Sequence, residues 1–164
     1  MFNVVFISMG NATAIILGQE LGAGNPDVRK DADRLAWVSV LSCCATGALM
    51  FLCASFFPEI YNTEPEVKAL AAKLIRIAAV FSPLYASENV AYFTIRSGGK
   101  TWITFLFDSG FLWAIPVPVA YILAKFTALD VVLIYLIVQC LDFVKAGYGL
   151  YLVKKGTWVQ NLTA

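Results

Sequence analysis

The uncharged run from Leu35 to Phe57 constrains the fold of this chain more than any other feature. A helix rises about 1.5 Å per residue and needs about 20 apolar residues to cross the hydrocarbon core of a bilayer. The run is long enough to span, and Pro58 follows it directly. Similar runs recur along the chain between short charged loops. The sequence therefore predicts an all-α polytopic membrane helix bundle with about five transmembrane helices, at residues 1–18, 35–57, 70–95, 101–124 and 131–153.

The composition agrees with this fold class and excludes several functions. Hydrophobic residues make up 60% of the chain, and the mean hydropathy is +0.74. No basic patch is interleaved with aromatic residues, so we expect no nucleic-acid partner. Histidine is absent and none of the four cysteines forms a CxxC pair, so we expect no metal site and no cofactor. The acids are scattered and no HExxH or histidine-supported GxSxG set is present, which disfavours a membrane-embedded enzyme.

The stretch from Phe81 to Tyr121 organises the predicted bundle. It contains two apolar helices joined by the basic turn Arg96–Lys100, with Glu88 before the turn and Asp108 after it. Acids and prolines are costly at membrane depth, so they indicate a transport pathway rather than a simple anchor. The prolines are predicted to act as hinges, and kinks without a transport role are the open alternative. They are Pro83, Pro116 and Pro118.

Glu88 is the predicted centre of a cation-binding or substrate-binding cluster. It lies near the middle of its span, and its own helix has no basic residue three or four positions away. Tyr85, Asn89 and Tyr92 fall on the same helical face. A carboxylate flanked by phenol and amide groups can hold a proton or coordinate Na⁺. The alternative is an acid that serves packing and is neutral or ion-paired.

Four further polar residues are candidates for the same function. Asp108 lies about two turns into its helix, where it could relay protons or bond to another helix. Asp142 and Lys145 are three positions apart and can neutralise one another, and Gln139 extends that face by one turn. In the alternative, Lys145 exchanges partners between access states. It then pairs with Glu88 or Asp108 in one state and with Asp142 in the other, which would be a bistable element.

The first predicted helix carries a small residue at every fourth position. Gly10, Ala14 and Gly18 form one smooth face, and such faces allow membrane helices to approach closely. The sequence therefore predicts close helix packing at all three positions. Trp102, Trp113 and Trp158 are in turn expected to anchor the bundle at the membrane interfaces.

The basic residues predict the orientation of the bundle. Lysine and arginine are enriched in cytoplasmic loops. One side carries Arg29, Lys30, Arg34, Arg96, Lys100, Lys154 and Lys155, whereas the other carries Lys68, Lys73, Arg76 and Lys125. The richer side, which includes the C-terminus, is predicted to be cytoplasmic. Five spans then place Met1 outside, and this suggests that an upstream helix is missing.

Three stretches match the pattern of a known family in order and spacing. GNATAIILGQELGAG at residues 10–24 is similar to a GxAxAxxxGQxLGAG pattern, and IRSGGKT at residues 95–101 to an LRGGGDT-like turn. WAIPVPVAY at residues 113–121 is similar to a W-x-x-x-x-P-x-A/G-Y run, and the ending LVKKGTW also fits. Together they resemble the multidrug and toxic compound extrusion (MATE) family of transporters, although Lys100 stands where the family often has Asp.

The resemblance implies a fold, a function and a location. The chain would be a fragment covering helices eight to twelve of a twelve-helix protein, with residues 1–164 forming part of the C-terminal lobe and the N-terminal lobe missing. Such antiporters sit in the plasma (inner) membrane and export organic cations and drugs in exchange for H⁺ or Na⁺ by alternating access. The family's usual cation-binding acid would fall near Tyr85, one turn from Glu88. The alternatives are a lipid-linked sugar flippase of the same superfamily, which needs a more basic cavity, and a non-transporting membrane assembly subunit.

Overall fold

The computed structural model describes residues 3–156 and 158–159, and it shows a bundle of five long helices. Each helix is long and apolar enough to cross a membrane. The described residues contain no strand, which confirms the predicted all-α membrane bundle. The helices are α1 (Asn3–Gly22), α2 (Val28–Cys53), α3 (Pro65–Ser97), α4 (Thr101–Phe126) and α5 (Val131–Lys155), with a short helical turn at Phe56–Glu59.

Helices α2 and α3 begin well before their apolar runs. Helix α2 begins at Val28, and its first turns carry an ion pair between Arg34 Nη1 and Asp31 Oδ1 at 2.9 Å. Helix α3 begins with Pro65 in its first turn, where the missing backbone N–H leaves no helical bond unmade. Charged turns can continue a helix into water because spacings of three or four residues neutralise them locally. Hydropathy therefore marks the apolar depth of these helices and not their ends.

Helix α4 is the least regular of the five. It widens into a π-helical turn at Leu106–Gly110, and it breaks at Ile115, whose φ is −124° and ψ is −67°. The ring of Pro116 explains the break, because a proline disfavours the helical conformation of the preceding residue. Pro118 follows in the first turn after the break, whereas Pro83 lies inside α3 without ending it. The action of the three prolines as hinges stays a prediction.

Helix α3 lies at the centre and packs against α1, α2 and α5. Its contact with α2 is close because a Cβ at Gly47 would overlap the Ser82 side chain. The Ser82 hydroxyl is buried and donates a hydrogen bond to the Cys43 carbonyl oxygen at 3.0 Å. Besides this contact with α2, helix α3 places Glu88 against Lys145 of α5 and Tyr85 against Phe6 of α1.

The small residues of α1 differ in how closely other helices approach them. A Cβ at Gly10 would overlap the ring of Phe93 on α3, so Gly10 makes the close contact that the sequence predicts. At Gly18 no described atom outside its own neighbourhood lies within 4 Å of the place a Cβ would take. Ala14 between them is half-buried. No such contact is described at Gly18, so close packing at that position stays a prediction.

Candidate functional site

Two adjoining cavities open on the polar face of α3, and we call them together the polar groove. The first has a volume of about 250 Å³, and the second has a volume of about 430 Å³. Ile7 of α1 and Asn89 of α3 line both. The first cavity collects four charged side chains from three helices: Glu88 and Arg96 from α3, Asp108 from α4 and Lys145 from α5.

Glu88 is buried in this groove and is not the lone carboxylate that its own helix suggests. Its residue is 6% exposed, and its Oε2 lies 3.4 Å from the Nζ of Lys145. Its other oxygen, Oε1, is buried and has no hydrogen-bond partner among the described residues. The sequence missed the pairing because Lys145 reaches Glu88 from α5, across the bundle. One oxygen of Glu88 is thus paired, and the other is available to a proton or a ligand.

Lys145 joins Glu88 to a second acid. Its Nζ donates a hydrogen bond to Asp108 Oδ1 at 2.9 Å and lies 5.5 Å from the centre of the Phe107 ring. The Lys145 side chain is 15% exposed, whereas that of Asp108 is 54% exposed. Buried charges in proteins are normally paired, and here one ammonium serves two carboxylates. The three side chains form an ion-pair triad, which we name the Glu88–Lys145–Asp108 triad.

The predicted ion pair between Asp142 and Lys145 is absent from the described residues. Lys145 approaches two acids on other helices instead, although Asp142 stands three positions before it. Asp142 is half-buried beside the triad. A long lysine stem can choose between several carboxylates, and helical spacing alone does not fix which one it reaches. Lys145 thus has the partners predicted for one of its two access states, in which it pairs with Glu88 or Asp108 and not with Asp142.

The remaining predicted polar residues divide between the two cavities. Tyr92 lines the first cavity, and Tyr85 lines the second. Asn89 lies between them and donates a hydrogen bond from Nδ2 to the Tyr85 carbonyl oxygen at 2.9 Å. Gln139 is buried on α5, and its Nε2 donates to the Tyr135 hydroxyl at 3.1 Å. The structure thus brings Glu88, Asn89 and Tyr92 to one cavity, and it places Gln139 beside the other.

Several residues of the groove were not predicted as part of the site, among them Tyr135, Arg96 and Phe107. Tyr135 is bonded to Gln139 one helical turn away, so a search at four-residue spacing would have found it. Arg96 was assigned only to the basic turn, yet it lines the first cavity and a neighbouring one of about 260 Å³. Phe107 lies in the π-helical turn together with Asp108. No sequence signal marks a π-helical turn, although such turns are frequent at functional sites.

The chemistry that this site can perform is binding rather than catalysis. It offers one unpaired carboxylate oxygen, a lysine ammonium and amide and phenol groups in a groove between helices. Within the described residues no group of three or more His, Cys, Asp or Glu side chains could hold a metal ion. Buried acids that face a cavity inside a helix bundle are typical of ion and substrate pathways.

A family model and several individual proteins are similar to this chain, and they agree with one another. The MatE family model matches residues 1–122. Multidrug resistance protein PmpM of Pseudomonas aeruginosa is 31% identical over 115 residues, which cover 70% of this chain and 24% of that protein. Multidrug resistance protein MdtK of Pectobacterium atrosepticum is 30% identical over 122 residues, which cover 74% of this chain and 27% of that protein. Probable multidrug resistance protein YoeA of Bacillus subtilis is 24% identical over 126 residues.

The matches cover a similar, small fraction of each relative. The aligned part of this chain spans about a quarter of the length of these relatives, 24% of PmpM and 27% of MdtK and YoeA. No solved structure matches the chain.

Proposed function

Since the chain belongs to the MatE family of membrane transporters, we propose that it forms part of a multidrug efflux antiporter that exports organic cations in exchange for H⁺ or Na⁺. Its five helices would be helices eight to twelve of a twelve-helix protein, within the second of two six-helix lobes. The first lobe would be the missing partner across the substrate cavity. Relatives that carry this part of the family pattern are named multidrug resistance proteins, and this supports the substrate class.

The observation that carries the proposal is the buried carboxylate of Glu88 in the polar groove. It is the acid with the least exposed residue in the groove, and one of its oxygens has no described partner. A bound proton or cation would satisfy that oxygen. The groove balances two acids with two basic side chains in its first cavity, so it lacks the basic excess expected of a sugar-lipid flippase.

The proposed mechanism is a competition for one conformational equilibrium. A ligand shifts such an equilibrium only by the difference between its affinities for the two states. Cation binding at Glu88 would favour one access state, and binding of the organic cation would favour the other. Glu88 lies on α3, which packs against three other helices. A shift of α3 on cation binding would therefore alter the packing of α1, α2 and α5.

The proposal also includes the orientation that the basic residues predict. The Arg96–Lys100 turn and the C-terminal end of α5 would face the cytoplasm, and the loop before Pro65 would face outward. The basic side chains Lys154 and Lys155 in the last turn of α5 support this assignment.

A Glu88→Gln exchange in the complete transporter tests the function. Glutamine keeps the size and the hydrogen-bonding capacity of the side chain but cannot ionise. We expect gradient-dependent efflux of a fluorescent organic cation such as ethidium to be lost, while the amount of protein in the membrane is unchanged. The measurement is ethidium accumulation in cells with and without an imposed pH or Na⁺ gradient.

The matched control is Glu66→Gln, which neutralises an exposed acid in the first turn of the same helix. It should transport like the parent. If Glu88→Gln also retains gradient-dependent efflux, Glu88 is a packing acid and the proposed coupling role is wrong. Full tolerance of neutral exchanges at Glu88, Asp108 and Asp142 together would favour the non-transporting subunit.

A further inference from the structure

The ammonium of Lys145 occupies a site built for a small cation. It lies 2.9 Å from a carboxylate oxygen of Asp108 and 3.4 Å from one of Glu88, and the face of the Phe107 ring is 5.5 Å away. Carboxylates and aromatic faces are the groups that attract cations in proteins. These three partners come from two helices, α3 and α4, while the ammonium arrives from a third, α5.

A free Na⁺ ion would need the same place. An ion that leaves water must replace its hydration shell with several protein oxygens at once. In the polar groove both carboxylates already face the Lys145 ammonium, so an Na⁺ ion bound to either one would lie beside a positive charge. A proton makes no such demand, because it can bind to Glu88 Oε1, which has no described partner, without displacing Lys145.

We propose that Lys145 is the specificity-determining residue of this site: its ammonium acts as a tethered cation that keeps Na⁺ out of the Glu88 carboxylate and leaves the proton as the coupling ion. The inference rests on the proposed transport function and narrows its choice between H⁺ and Na⁺. Lys145 is here a positioning residue, since it acts through Glu88.

The other groups that face Glu88 fit this assignment. Lys145 and Asp142 of α5 and Asp108 of α4 all interact electrostatically with the Glu88 carboxylate. The lysine attracts it, and the two acids repel it. Helix α3 itself adds Arg96 and the phenol of Tyr92 to the same cavity, whereas α1 presents the apolar Ile7. Protonation of Glu88 leaves Lys145 bonded to Asp108, so the ammonium keeps a partner in both protonation states of the glutamate.

The test uses the complete transporter in proteoliposomes, with ethidium as the transported probe. One arm imposes a pH gradient without Na⁺, and the other imposes an Na⁺ gradient at equal pH on both sides. For the parent we expect transport driven by the pH gradient and none driven by the Na⁺ gradient. In Lys145→Met the Na⁺ gradient should drive transport about tenfold or more above the background of protein-free liposomes, because a neighbouring unit charge is gone.

Two further variants separate this role from a structural one. Lys145→Arg keeps the positive charge and should remain insensitive to Na⁺. Lys154→Met removes an exposed lysine from the same helix and should match the parent in both arms. A merely structural lysine would change the amount of protein inserted without changing which gradient drives it.

The outcomes distinguish this inference from the proposed function. If the parent runs on the Na⁺ gradient, or if Lys145→Met gains no Na⁺-driven transport, the inference is overturned while the antiporter proposal stands. If neither gradient drives ethidium transport in the parent, the proposed function itself fails. Should Lys145→Met fail to insert, the response of the parent to the Na⁺ gradient still decides.

Discussion

We call the end of the bundle that carries the Arg96–Lys100 turn, Lys154 and Lys155 the basic end. The basic end and the polar groove are held together by different forces. At the basic end Trp158 is 1% exposed, packs on an apolar cluster and donates from Nε1 to the Val153 carbonyl oxygen at 2.9 Å. Gly156, with a φ of +72°, turns the chain back over the ends of the helices after α5. That apolar cluster consists of Leu17 and Leu21 from α1 and Val28 and Ala32 from the start of α2.

The groove has the opposite character. Glu88, Lys145 and Asp108 are held by charge, and one buried oxygen of Glu88 has no described partner. Apolar contacts in a close-packed cluster are lost together when its members move. An ion-pair triad with two acids for one lysine can instead exchange partners, because the lysine keeps one acid while it leaves the other. The end fixed by Trp158 is therefore suited to hold the helices, while the groove is suited to change state.

The largest expected effect on stability is at the fixed end. Trp158→Ala should remove a fully buried aromatic side chain and lower the free energy of unfolding by about 3 kcal/mol. The control is Trp102→Ala, which truncates a tryptophan that is 74% exposed at the start of α4 and should have a small effect. Thermal unfolding in detergent, followed by size-exclusion chromatography, measures both. Equal effects in the two variants would mean that the basic end is not held by Trp158.

A smaller effect is expected where α1 meets α3. Gly10→Leu should destabilise the bundle by about 1–3 kcal/mol, because the new side chain overlaps the Phe93 ring. Gly18→Leu should be nearly neutral, since a Cβ there meets no described atom within 4 Å. The same thermal assay compares the pair. Destabilisation by Gly18→Leu as large as that by Gly10→Leu would restore a continuous packing face along α1.

The smallest effect on stability is expected in the groove. Asp108→Asn should change the free energy of unfolding by less than about 1 kcal/mol, because its side chain is half-exposed and Lys145 keeps Glu88 as a partner. Transport in the complete protein should nevertheless become slower, since Lys145 loses its shorter contact. A strong loss of thermal stability would contradict the contrast between the fixed end and the adjustable groove.

Features that depend on one helix alone were predictable from the sequence. The spans followed from hydropathy because the bilayer imposes length and apolarity on each helix separately. The break before Pro116 follows from local sterics, although the π-helical turn around Asp108 does not. Trp158 was expected as an interface anchor and is instead a buried residue, because α1 and α2 supply its surroundings.

The family, the five apolar helices and the acids within them could be predicted from the sequence. These properties depend on composition and on spacing within one helix, because the bilayer imposes its constraints on each helix separately. The tertiary structure alone decided that Lys145 pairs with Glu88 and Asp108 rather than with Asp142. It also decided that Gly10 is crowded while Gly18 is open. Both outcomes depend on how far neighbouring helices stand apart, and distance between helices is a property of the packed bundle.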